Sequence, residues 1–469
     1  MTATGDVRTG GGGAVAVLDD AAVREFERLM DHRDVSAVFQ PIVNLHTGEI
    51  VGLEALARGP ESSQFASPLA LFAAARQTGC VAELDWVCRA AAFRAFYEGG
   101  VSPAMSLFVN VEPETFAENC PKDLASLVAK AESVLRVFVE VNERALAADP
   151  AGVLAAVDRA RAKGWGVAID DVGASRAPVA MLPIVNADLV KLDRGVLRNA
   201  SPEDASAVIT SVLHYVETTG AALLVEGIED EQDVQWALAL GASYGQGFHL
   251  GGPGPLGDVY PVPRAPVRLI ESPAAGLKFT SPFQVFDGEA HQRMDRDLLG
   301  QLFGMVAHAP RATATWPVFL VCVGRDHHLR GDAMEHLLGL AEGALLFVLF
   351  GMDMPAAPAP GVRGVSLTRQ DPLAGEWFVI GLSGQAPVAV FARAAADGLF
   401  DVTVTQAPHL VNAIAHHLIR RIPRPGQGPD ARPSAPLETV DDDADLVASS
   451  GTATAAGPKQ GGWRGRLGR

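Results

Sequence analysis

Between Val38 and Pro253, short apolar runs alternate with Ala-rich stretches of helical spacing, and few folds accommodate such a sequence. The runs are VFQPIV, IVGLEAL, LFVNV, VFVEV, GVAID, LVKLD, LLVEG and YGQGF, with segments such as Leu69 to Ala75 and Pro150 to Lys163 between them. Strand–helix alternation of this kind builds a parallel α/β sheet, and eight runs fit a closed TIM-like (β/α)8 barrel. The first two runs are separated only by LHTGE. So short a link permits an antiparallel hairpin and no helical crossover, so the barrel is expected to start irregularly.

A Pro-rich break, GGPGPLGDVYPVPRAP, follows the alternation. Beyond it, PVFLVCV, ALLFVLF, EWFVIGL, PVAVFAR and FDVTVTQ read as strands, with helical stretches at Gln292 to Ala307 and Leu410 to Arg421. The expected organisation is a flexible Gly-rich lead at 1–17, the barrel at 18–266, a smaller C-terminal α/β domain at 267–422 and a disordered tail at 423–469. The tail is rich in Pro, Gly, Asp and Ala and cannot bury enough apolar surface to fold. A formal net charge of -17 argues against broad contact with nucleic acid or anionic membrane. The longest apolar stretches, such as Gly343 to Met352, are too short for membrane insertion, and the first residues lack the apolar core of a signal peptide. Cys80, Cys88, Cys120 and Cys322 are scattered without a C-x-x-C pair, which argues against a zinc site or a disulfide framework. A cytoplasmic location is expected.

Polar residues capable of holding a cation recur in or just after nearly every run of the barrel: Glu54, Asn110, Glu140, Asp170 with Asp171, Lys191 beside Asp193, Glu226 with Glu229, and Gln246. One acid in a strand is as often solvated or paired as functional. The series is another matter, because a buried carboxylate is costly without a partner and barrel enzymes carry their sites at the carboxyl ends of the strands. Oxygen donors of this kind suit Mg²⁺ or Mn²⁺. The adjacent Asp170 and Asp171 would let one carboxylate bridge two ions, an arrangement suited to phosphodiester hydrolysis. Lys191 could orient water or neutralise charge, and Arg58 could hold a phosphate oxygen.

These residues also carry a resemblance. The segment from Ala37 to Pro253 resembles the EAL-domain cyclic di-GMP phosphodiesterases, with Glu54-Ala55-Leu56 and Arg58 inside FQPIVNLHTGEIVGLEALAR. The resemblance implies a barrel with a reversed first strand and hydrolysis of cyclic di-GMP to linear pGpG. It implies one metal held by Glu54, Asn110, Glu140 and Asp170, with Asp170, Asp171 and Glu226 serving a second. Lys191 would contact the attacking water, Gln246 would sit by the same centre, and Glu229 would support it. Gln40 and Arg58 would line the nucleotide, with Asp193 beside them. Members commonly dimerise through the barrel, so a homodimer is expected. After the paired aspartates the family usually reads D-D-F-G-T-G-Y-S-S, in a loop that couples dimerisation to metal and substrate binding. Here the sequence is DDVGASRAPVAML, with Val172, Ser175 and Arg176 as departures, while Glu143, the match to the loop's anchoring glutamate, is retained.

The second domain resembles the DICT sensory domain through SPFQVFD and GVRGVSLTRQDPLAGEWFVIGL. That implies regulation by an unknown ligand or protein. The pairs His327-His328 and His416-His417 do not read as metal sites, since neighbours on one element face different ways. No G-G-D-E-F-like cyclase signature occurs. An active phosphodiesterase is the leading expectation. A catalytically silent cyclic di-GMP receptor is the alternative, and a scaffold that ignores the nucleotide is a third reading.

Overall fold

The computed structural model describes residues 17–424 apart from 113–114, 116–117, 174–178, 197–200, 258–259, 271–277, 309–316, 326–338 and 385. Nearly all of the expected lead and tail, the His327-His328 pair, and Ser175 with Arg176 lie outside the described residues.

Eight strands close a barrel in sequence order: β1 (Ser36–Asn44), β2 (Ile50–Arg58), β3 (Ser106–Asn110), β4 (Arg136–Asn142), β5 (Gly166–Val172), β6 (Leu189–Asp193), β7 (Ala222–Glu226) and β8 (Tyr244–Gly245). Neighbours from β2 to β8 are parallel, and β1 runs antiparallel to both β2 and β8. The reversal is made by the short LHTGE link: Asn44 Oδ1 accepts from the amides of His46 and Thr47 at 2.9 and 3.1 Å, and Gly48 takes φ +70°. An asparagine that closes the chain on itself, followed by a residue free to enter the left-handed region, is what a tight hairpin requires.

The barrel interior is layered by the two-residue period of its strands. Phe108 and Phe138 stack in its middle with centroids 4.6 Å apart and planes 14° apart. Their rings fill space that glycine leaves open: a Cβ on Gly166 would lie 2.3 Å from the Phe138 ring, and one on Gly52 would lie 2.8 Å from Phe108. Below them the chain leaving the barrel crosses its amino-terminal end. Val267 is fully buried there, its carbonyl accepts from Arg136 at 2.5 Å, and the Ile270 amide donates to Asp188 at 2.8 Å. Residues 267–270, expected in the second domain, thus pack with the barrel as its floor, because apolar side chains at the open end need cover.

The second region is a seven-stranded mixed sheet in the order β12-β11-β10-β13-β14-β15-β9. Its strands are β9 (Gln292–Met294), β10 (Val318–Arg325), β11 (Leu346–Met352), β12 (Val362–Leu367), β13 (Glu376–Leu382), β14 (Val388–Ala394) and β15 (Phe400–Thr405). Alternation sorts the central strand: Phe319, Val321 and Val323 join one core beside the helix Arg296–His308. Val318, Leu320 and Cys322 face the other way, into a core shared with the helix Pro408–Ile419 and the barrel. The helix expected from Gln292 begins only at Arg296. Asp295 accepts from the Leu298 amide at 2.9 Å and caps it, which leaves Gln292–Met294 extended as an edge strand on β15. No helix among the described residues is long and apolar enough to cross a membrane.

Candidate metal centre

Strand period decides which side chains meet. In the cross-strand register Gln40 lies opposite Glu54, Asn110 beside Glu140, and Asp193 beside Glu226. Asn110, Glu140, Asp170, Lys191, Glu226 and Gln246 each stand two residues from an interior residue, Phe108, Phe138, Ala168, Leu189, Leu224 and Tyr244 in turn, and Glu54 meets Lys191 and Gln246 there, so these side chains gather inside the barrel near the carboxyl ends of the parallel strands.

Lys191 occupies the middle of this set and is fully buried. Its Nζ lies 3.4 Å from Glu54, 2.8 Å from Glu140, 2.9 Å from Asp170 and 2.9 Å from Glu226. Burial by itself would lower the Lys191 pKa, but Asp170, Glu140, Glu226 and Glu54 outweigh it and raise it well above the ordinary value. This lysine stays charged. Burial raises Glu140 well above the carboxylate range, with Glu54 adding to the effect and Lys191 opposing it. Glu226 is raised well above that range for the same first reason. Four acidic groups around one ammonium carry more potential negative charge than it can balance, and such a cluster calls for cations or protons.

The donors fall into two triplets: Glu54, Glu140 and Asp170, and Asp170, Asp171 and Glu226, each with ligand oxygens within 4.8 Å of one another. Asp170 belongs to both. Adjacent residues on a regular strand face opposite ways, so a regular β5 could not bring Asp171 to the same centre. A register shift between Ile169 and Val172 breaks the alternation there, and Asp171 takes φ +59°. The site therefore holds an aspartate in the left-handed region, which short polar side chains tolerate better than others.

The remaining contacts fix the oxygens. Gln246 Nε2 donates to Glu54 at 2.5 Å, and Gln246 Oε1, buried, has no hydrogen-bond partner among the described residues. Asn110 Nδ2 lies 3.3 Å from both Glu54 and Glu140, and the reversed amide would turn Oδ1 to a cation instead. An all-oxygen set with a shared carboxylate and an orphaned buried carbonyl fits hard divalent ions.

Other expected residues lie elsewhere. Gln40 donates to the Gly251 carbonyl at 3.2 Å, and Asp193 accepts from the Gly195 amide. Arg58, at the end of β2, donates to the Ala57 carbonyl at 2.8 Å and is not among the cation-facing groups. Glu229 pairs at 3.3 Å with Arg194, which also pairs with Asp233. Glu143 opens the helix Glu143–Ala148, and its side chain is outside the described residues.

Two supporting groups went unremarked in the sequence. Arg194 joins the loops after β6 and β7. Asp85, buried in the helix Val81–Glu98, accepts from Thr115 at 2.7 Å and from the Glu112 amide at 3.2 Å, and so holds the loop after Asn110. Arg89 balances Asp85 at 2.8 Å and stacks 3.7 Å from Trp86. An acid and a base four residues apart, flanked by apolar residues and alanines in the helix, were the available signal.

The model of the EAL family, described as EAL domain, matches residues 23–253. The probable cyclic di-GMP phosphodiesterase PdeB of Escherichia coli is 27% identical over 228 residues, which cover 47% of this chain and 42% of the relative. The cyclic di-GMP phosphodiesterase RocR of Pseudomonas aeruginosa is 28% identical over 256 residues, 51% of this chain and 63% of the relative. The chain thus spans less than two thirds of the length of these curated relatives. Among solved structures, a cyclic di-GMP complex of the phosphodiesterase PaMucR is 24% identical, covering 50% of this chain and 98% of that one with a TM-score of 0.43.

Proposed function

With residues 23–253 belonging to the EAL family, we propose that this chain is a phosphodiesterase dependent on two divalent cations, Mg²⁺ or Mn²⁺, that opens cyclic di-GMP to linear pGpG. One observation carries the reading: two carboxylate triplets that share Asp170 stand around a buried, charged Lys191. Glu54, Asn110, Glu140 and Asp170 are the residues for one cation, and Asp170, Asp171 and Glu226 those for the other. When bound, the two ions supply Lewis acidity to the phosphodiester and acidify water.

The chain's own residues do the rest. Lys191 keeps its proton and so acts as a donor, holding the carboxylates in register and offering a positive charge to the water or the developing oxyanion. Gln246 fixes Glu54 in place. The Phe108–Phe138 stack seals the centre from below, which strengthens each charge interaction above it. Gln40, Arg58 and Asp193 are left for the nucleotide, and Glu229 with Arg194 supports the loop after β7. Regulation by the C-terminal domain, a cytoplasmic location and assembly as a homodimer complete the reading.

Purified protein incubated with cyclic di-GMP and Mg²⁺ or Mn²⁺ is expected to yield pGpG, and Glu54→Ala to yield none. The departures at Val172, Ser175 and Arg176 favour one competing reading, the silent receptor. Nucleotide binding without product would select it and sink the phosphodiesterase.

A further inference from the structure

We infer that the C-terminal domain is a clamp on the segment leaving Asp170 and Asp171, and that its docking sets the geometry of the second carboxylate triplet. The inference deepens the phosphodiesterase reading and rests on it only for what the triplet binds.

The path out of the site is conformationally demanding. Asp171 has φ +59° and Gly173 φ +98°, where a Cβ on Gly173 would lie 2.8 Å from Val196. Backbone of this kind persists only where its surroundings over-determine it. One anchor is the bulge in β5. The other is the 3-10 turn Val179–Met181 and the helix Leu182–Val185, both apolar apart from their backbone and almost wholly buried.

The C-terminal domain packs directly against this stretch. Gly384, between β13 and β14, sits so close that a Cβ there would lie 2.3 Å from Ser211 Oγ and 3.0 Å from Val179. From another side the helix Pro408–Ile419 brings His416 Nδ1 to 3.2 Å from the Ile184 carbonyl. The same ring lies 3.4 Å from Asp158, on the barrel helix Pro150–Ala162, and Arg420 reaches Asp158 at 3.1 Å. Two contacts therefore pin the far anchor: a glycine fitted against Val179 and a histidine holding Ile184. Moving the domain moves the anchor, and through it the backbone that presents Asp171.

The test uses the full chain with two variants. Gly384→Val wedges the contact open, and His416→Ala removes the hold on Ile184 without adding bulk. Met305→Ala, on an exposed face of the helix Arg296–His308, is the control. Amide hydrogen exchange and Mn²⁺ titration are read together. Both interface variants are expected to exchange about tenfold faster at 168–173 and 179–185, with β6 and β7 unchanged. They are expected to weaken one Mn²⁺ site about tenfold and leave the other, as loss of outer support does. Unchanged exchange in His416→Ala overturns the clamp even if Gly384→Val unfolds the domain. Faster exchange with both Mn²⁺ affinities intact overturns the link to the site. A wild-type chain that takes up no Mn²⁺ defeats the phosphodiesterase reading, and the clamp is then decided by exchange at Asp170–Gly173 alone.

Discussion

At the scale of single residues, the centre sets backbone strain and buried charge against function. Asp171 is held in the left-handed region, at a cost glycine would not incur. Asp171→Gly should leave thermal stability equal or raise it by up to about 1 kcal/mol. It should also lower turnover by more than about 100-fold, because a ligand is gone. Melting curves and product formation on the same sample check both halves. The charges predict a pH dependence. Glu140 and Glu226, raised well above the carboxylate range by burial, keep protons in the folded, cation-free chain that the unfolded chain has already released. Stability in chelator should therefore fall as pH rises from the ordinary carboxylate range through those raised values. Cations bound at these glutamates would displace the protons, so the gain in melting temperature on adding Mn²⁺ should be larger at about pH 8 than at about pH 5. Equal gains at both would mean that the two glutamates are not the groups that yield protons to the metal.

At the scale of elements, the barrel works as a stack of fitted layers. Gly166 in β5 makes room for Phe138 in β4, and that ring, with Phe108, is the platform beneath Glu54 and Glu140. Gly166→Ala should cost about 1–3 kcal/mol by overpacking. Phe138→Leu in the same chain should recover part of it, and urea titration of the single and double variants measures the coupling. The lower end of the barrel depends on Asp188, fully buried, which accepts from the amides of Val167 and Ile270 and pairs with Arg161 at 2.5 Å. Arg161→Ala would leave that carboxylate buried without its counter-charge, and a loss of about 3–5 kcal/mol is expected in the same assay.

At the scale of the whole molecule, the barrel and the C-terminal sheet share one apolar core through the helix Pro408–Ile419 and the segment Val179–Val185. Domains joined by so much common core should not unfold separately. Trp165 lies in the barrel and Trp377 in the sheet. Variants that keep only one of these two as reporter should give the same urea midpoint. Two midpoints would show that the docking is weaker than the shared core implies.

Much was legible in the sequence because it depends on local rules. The run-and-helix alternation specified a barrel, LHTGE dictated the reversed start, and the polar residues in the runs picked out side chains that the fold brings together, Glu54, Glu140, Asp170 and Glu226 among them. Strand period is a local property, so the inward-facing set followed from it. What tertiary structure alone decided are contacts between residues far apart in the chain. Spacing could not say that Asp171 escapes the alternation by a bulge, that Lys191 sits amid four carboxylates, or that Val267 closes the barrel floor. Nor could it reveal that Gly384 and His416 close on the segment after the aspartates. Each depends on packing complementarity and on where buried charge finds a partner, and neither leaves a periodic signal in one chain.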